Sequence, residues 1–100
     1  MYRTLASNDR NLFESKTRKV LLYFTAEWCG PCQLLKPTLK SLANEGKVSV
    51  VEIDVDVHEE LANEHNVQGI PFLKYVDVDG TVVWTNVGNV SGSFILKHVS

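Results

Sequence analysis

Val20-Leu21-Leu22-Tyr23-Phe24-Thr25 is the segment that most limits what this chain can become. It is β-branched and aromatic, and polar positions do not alternate with apolar ones. It therefore reads as a central strand buried on both faces. Such a strand needs cover above and below, which calls for helices on both sides of a sheet. With 100 residues, 44% of them apolar, the chain has material for one core of this kind, and a single domain spanning residues 1–100 is expected.

The flanking sequence supplies the other layers. Ser7, Asn8 and Asp9 are good helix N-caps lying between Leu5 and the pair Leu12 and Phe13, which predicts a short strand leading into a short helix. From Cys29 to Glu45, Leu35, Leu39, Leu42 and Ala43 fall at i, i+4, i+7 and i+8, the stripe of an amphipathic helix. Gly46 supplies its stop, and Pro37 inside it predicts a kink. Val48 to Ile53 reads as a strand, and Asp56 with Glu59 has capping-box spacing for a helix ending near Asn66. Phe72 to Val76 and Thr81 to Thr85 flank Asp79-Gly80, a dipeptide suited to a tight turn with positive φ, so these two strands should pair antiparallel. Ser91 caps a last short helix carrying Phe94 and Ile95. The order β-α-β-α-β-α-β-β-α predicts an α/β fold, a central mixed five-stranded sheet flanked by four helices.

Charge and hydropathy narrow the function. Ten Lys and Arg against twelve Asp and Glu, with the signs interspersed, leave no basic surface for tracking phosphates, so nucleic acid is not expected as a direct ligand. The longest apolar run, Val20 to Phe24, is far shorter than the roughly 20 residues that span a bilayer, so no membrane association is expected. The first residues turn polar before any hydrophobic segment develops, which favours a reducing cytoplasm as the expected location.

The two cysteines carry the chemistry. They are too few for a disulfide framework, and Cys29 and Cys32 close only a small loop, so the pair reads as reactive before it reads as structural. A strand ending at Thr25 and a helix starting near Cys29 put the first sulfur beside the unpaired N–H groups and the positive dipole end of that helix, where a thiolate is stabilised. Cys32, three residues on, shares the same face at disulfide distance. Pro31 costs nothing in a first turn, and Gly30 lets another backbone approach the sulfurs. Cys29 is thus expected to be the nucleophile, and Cys32, one turn deeper, to resolve the mixed disulfide.

Trp28-Cys29-Gly30-Pro31-Cys32 after a buried strand, with Gly69-Ile70-Pro71 about forty residues later, resembles the thioredoxin family from Leu5 to Val99. The resemblance implies that Pro71 is cis and sits against the two sulfurs. It implies a shallow substrate groove formed by Trp28, Ile70, Pro71 and the loop Val87-Gly88-Asn89, in which the Ile70 backbone bonds an extended segment. It also implies disulfide-containing proteins as substrates, a thioredoxin-reductase-like electron donor, a monomer and no cofactor. Gly30-Pro31 resembles the dipeptide of reductants rather than of oxidases or isomerases.

The chain departs from the family at two linked positions. Thioredoxins usually carry a buried Asp six residues before the first cysteine, as a base for the resolving thiol, and Tyr23 stands there. The Lys that accompanies that Asp is replaced by Val50. A phenol with a reference pKa near ~10 cannot accept a proton at neutral pH as a carboxylate does, although it can donate a hydrogen bond. A weakened or water-relayed second exchange step is expected.

Other readings of the same residues are weaker. A Cys-x-x-Cys can be half of a zinc site, but zinc needs two more ligands, and nothing places a pair of His58, His65 and His98 near the motif, so no metal is expected. His58 and His65 are expected on a solvated helix face. Trp84 and Tyr75 suit strand packing, and Asp54-Val55-Asp56 suits a strand end and helix cap. A docking role, in which the groove matters more than the thiols, is the alternative function, since fold alone does not fix activity.

Overall fold

The computed structural model describes residues 1–8 and 18–99. Among these, five strands form one sheet and three helices cover it. The helix expected around Leu12 and Phe13 lies outside the described residues. Strands β1 (Tyr2–Thr4), β2 (Val20–Thr25), β3 (Val50–Asp54), β4 (Phe72–Val76) and β5 (Val82–Val87) are ordered β1-β3-β2-β4-β5. The first three in that order run parallel, and β4 and β5 are antiparallel to their neighbours, so the sheet is mixed.

All six residues of β2 are buried, as a non-alternating central strand requires. Alternation sorts them between two cores. Leu21 and Tyr23 pack under helix α1 (Gly30–Asn44) with Leu35, Leu39 and Leu42 and with Ile95 of α3 (Gly92–Leu96). Leu22 and Phe24 face the other way, onto Ile53, Phe72 and Leu61 of α2 (Glu59–Glu64).

Several element ends follow local chemistry that the sequence displays. Helix α1 runs unbroken through Pro37, which removes one interior bond without ending it. At its end the Gly46 amide donates to Ala43 O and the Lys47 amide to Leu42 O, with Gly46 at φ 75°, a double cap that needs the left-handed region glycine enters freely. The hairpin between β4 and β5 turns at Gly80, and the Asp79 carboxylate accepts the Thr81 amide at 2.9 Å, which holds its pKa below the usual carboxylate range. Ser91 Oγ accepts the Phe94 amide at 3.2 Å and caps α3.

Four expectations are corrected. The first strand is Tyr2–Thr4, not centred on Leu5; Leu5 follows it, with its amide donating to Glu52 O. Asp56 does not cap α2. Its carboxylate is taken by Trp28, and the N-cap residue is His58, with no side-chain cap bond. That helix ends at Glu64 rather than near Asn66, which lies at φ 60°.

The fourth correction concerns the histidines. His58 is buried, its Nε2 3.3 Å from Leu5 O, and it ties the end of β1 to the start of α2. His65 is half-buried, its ring 5.5 Å from that of Phe24 and its Nδ1 3.1 Å from Lys74 Nζ. Burial, and then the charge of Lys74, lower the His65 pKa, so the folded chain holds a neutral imidazole there. Below a reference pKa of about 6.5 the unfolded chain binds more protons at this site than the folded one, so stability falls as pH falls through that value. Urea midpoints near neutrality and about two pH units lower should therefore lie closer together in His65→Gln than in the wild type.

Candidate active site

Strand β2 delivers the chain at Thr25 to Ala26-Glu27-Trp28, and α1 begins two residues later. Cys29 is the N-cap residue of α1, in extended backbone, so its sulfur sits where the first amides of the helix point. The Cys32 amide donates to Cys29 Sγ at 3.2 Å, and the Gln33 amide to Cys29 O at 3.2 Å. An anionic sulfur at this position would gain both a charge-assisted bond and the helix dipole. Pro31 occupies the first turn, where a missing N–H leaves nothing unbonded, and Gly30 and Pro31 are exposed.

Cys29 and Cys32 are joined in a disulfide, with their Cα atoms 5.2 Å apart. Their surroundings differ. Cys29 keeps 6% of its surface and Cys32 none. Both pack on Ala26, with Ile70 and Val55 against the same cluster.

The Ile70–Pro71 peptide is cis, the isomer that the resemblance implied, and Pro71 is fully buried. Pro71 O accepts the Gly88 amide at 2.8 Å, so the proline loop and the end of β5 are fastened together. Ile70 and Gly88 are half-buried, while Asn89 is exposed and Val87 keeps 63% of its surface. Trp28 is 70% exposed, and its indole N–H donates to Asp56 Oδ2 at 2.8 Å, which fixes the ring on the loop beside Cys29. Exposed apolar surface next to a reactive sulfur is what an extended substrate segment can cover.

Tyr23 lies beneath Cys32. Its hydroxyl donates to Cys32 O, and burial raises its pKa, so it holds the helix by a hydrogen bond and does not accept a proton. Val50 does not stand beside Tyr23, which corrects the expectation from sequence: it pairs with Leu21 and packs in the apolar cluster, and the residue opposite Tyr23 on β3 is Glu52.

Sequence reasoning missed a polar cluster on the same face. Glu52 stands opposite Tyr23 in the β2–β3 register and is 9% exposed. It accepts the Tyr2 hydroxyl and pairs with Lys36 Nζ at 3.4 Å. A glutamate inside an otherwise apolar buried strand was the available signal, because such a group needs partners. The Trp28–Asp56 bond was also missed, since Asp56 has the spacing of a helix cap.

A disulfide at the start of a helix, set between a central strand and a cis-proline loop in a mixed five-stranded sheet, defines a dithiol protein of the thioredoxin fold. The thioredoxin family model matches residues 3–100. Thioredoxin of Bacillus subtilis is 43% identical over 77 residues, 75% of this chain and 73% of the relative. Thioredoxin 1 of Chlorobaculum tepidum is 37% identical over 88 residues, 86% of each. Among solved structures, a mutant thioredoxin from Halobacterium salinarum superposes with a TM-score of 0.84 at 32% identity, over 98% of this chain and 86% of that one. The chain belongs to the thioredoxin family. It is a thiol–disulfide oxidoreductase whose redox pair is Cys29 and Cys32.

Proposed function

We propose that this chain is a protein-disulfide reductase in which Cys29 attacks and Cys32 resolves. The difference in exposure between the two cysteines of one disulfide carries this reading: Cys29 keeps some surface and Cys32 keeps none. In the reduced chain the Cys29 thiolate attacks a substrate disulfide, which leaves a mixed disulfide and one substrate thiol. Cys32 then attacks Cys29 Sγ, the substrate's second sulfur leaves, and the Cys29–Cys32 bridge forms. Trp28, Ile70, Pro71, Gly88 and Asn89 form the groove for the extended substrate segment. Gly30 and Pro31 keep the approach to Cys29 open, and Tyr23 anchors the helix turn behind it.

The same reading takes the chain as a single domain that acts as a monomer in the cytoplasm and carries electrons from a thioredoxin-reductase-like donor to disulfide-containing proteins. Family membership supports the donor and the substrate class. Among the described residues no helix is long and apolar enough to cross a membrane. Insulin reduction driven by dithiothreitol tests the activity. Wild type should precipitate the insulin B chain well ahead of the dithiothreitol control, and Cys29→Ser should match that control. Equal rates for wild type and Cys29→Ser would reject the assignment.

A further inference from the structure

Tyr23 leaves the second exchange step without the carboxylate expected beneath it, yet Cys32 must lose a proton before its sulfur can attack. The face of the sheet under the first turns of α1 is polar. Thr4 of β1, Thr25 of β2, and Glu52 and Asp54 of β3 line one cleft of about 460 Å³ with Ala26, Gln33 and Lys36. Ala26 packs with both cysteines, Gln33 follows Cys32 in sequence and donates to Ala26 O at 3.0 Å, and Lys36 lies one turn beyond Cys32. Tyr23, which stands opposite Glu52, bonds Cys32 O, so the cleft lies one residue away from the resolving cysteine. Its open end reaches exposed Glu27 and Val57. Thr25 Oγ1, on the wall of this cleft, is buried and interacts with the Tyr23 hydroxyl. A polar cleft of this size has room for ordered water.

We propose that Glu52 accepts the proton of Cys32 during resolution, through water held in this cleft. The inference rests on the reductase reading and names the base for its second step. The Cys32 S–H proton passes to the Glu52 carboxylate, and the Cys32 electron pair forms the bond to Cys29 Sγ. The Cys29–substrate bond breaks, and the substrate sulfur leaves with its electron pair as a thiolate. The substrate disulfide is reduced and the dithiol is oxidised, and Glu52 returns its proton to solvent through the open end of the cleft.

The neighbours of Glu52 suit that task and are unsuited to it themselves. From β1 the Tyr2 hydroxyl donates to Glu52, and burial, with that bond, raises its own pKa. From β2 Tyr23 is engaged with Cys32 O. From α1 Lys36 pairs with the carboxylate, and Lys40 lies over the Tyr2 ring at 5.4 Å. On β3 itself, Asp54 is less buried and accepts the Asp56 amide at 2.8 Å. Glu27 stands at the exposed mouth. Glu52 is a positioning residue here, since it acts on the sulfur through water and touches neither substrate nor sulfur.

Single-turnover reaction of the reduced chain with insulin, followed by rapid quench from about pH 6 to about pH 9, separates formation of the mixed disulfide from its decay. Glu52→Gln should leave formation unchanged and slow decay by about 10²-fold near neutrality, the lower end of what a positioned acid or base contributes. The deficit should shrink as pH passes the ordinary thiol value of ~8.5, where Cys32 ionises unaided. Glu52→Asp, which keeps a carboxylate, should recover most of the rate. Unchanged decay in Glu52→Gln, or the same slowing at every pH, would overturn the proposal. Should Glu52→Gln not fold, the wild-type decay decides: it should vary little between about pH 7 and about pH 9, because a base serves Cys32 throughout, and a tenfold rise per pH unit up to the ordinary thiol value of ~8.5 overturns the proposal. A wild type that forms no mixed disulfide at all would instead overturn the reductase reading itself.

Discussion

In Cys32→Ser protein, the mixed disulfide between Cys29 and a protein substrate should persist on the order of 10³-fold longer than in the wild type, a modest fraction of the ~10⁵ M effective molarity that well-oriented intramolecular attack can reach. The size of the effect comes from geometry. Cys32 is held one helical turn from Cys29, with Cα atoms 5.2 Å apart, and in the wild type it displaces the substrate without waiting for an outside thiol. Removing its sulfur leaves only external thiols, which reach Cys29 Sγ through the small exposed patch of that residue. The complex should be visible as a covalent adduct on non-reducing gels, released by dithiothreitol. Equal lifetimes for the two proteins would mean that Cys32 does not resolve.

The largest effect on stability is expected from Phe24→Ala, which should cost ~3–5 kcal/mol, the usual price of deleting a fully buried phenylalanine. Phe24 has no exposed surface. Its ring lies 5.8 Å from that of Phe72 and 5.5 Å from that of His65, with Leu22, Ile53 and Leu61 in the same cluster. Because β2 is the central strand, a cavity at this position opens between two neighbouring strands and α2, where little can collapse into it. Against a total of roughly 5–15 kcal/mol for a domain, the loss is large. Urea unfolding should show a lower midpoint at unchanged slope. A loss below about 1 kcal/mol would show that this face of the sheet is not close-packed.

Much of the fold was legible because local chemistry and burial pointed the same way. Val20–Thr25 forms a strand over the whole predicted span, since an unbroken apolar run has few other uses between a lysine and a cysteine motif. The Leu35, Leu39, Leu42 stripe, the Gly46 stop, the Asp79-Gly80 turn and the Ser91 cap likewise appear where residue type alone put them. What failed was decided by tertiary partners. Asp56 has the spacing of a cap, but an exposed tryptophan indole 28 residues earlier claims its carboxylate. His58 and His65 look like solvated helix residues until Leu5 O, Phe24 and Lys74, all distant in sequence, surround them.

The site divides in the same way. Cys29, Gly30, Pro31 and Cys32 are contiguous, so helix physics interprets them directly. The Glu52 cluster unites β1, β2, β3 and α1, and only the strand register, with Tyr23 facing Glu52 and Thr25 facing Asp54, brings it beside the tyrosine that bonds Cys32 O. No spacing within a single segment announces that arrangement.

Alkylation of the fully reduced chain by iodoacetamide, measured against pH and mapped to each cysteine, tests most directly whether helix start and exposure set these two sulfurs apart. Cys29 should react alone, with a midpoint well below the ordinary thiol value of about 8.5. Reaction of both cysteines together, with a midpoint at or above that value, would contradict the account.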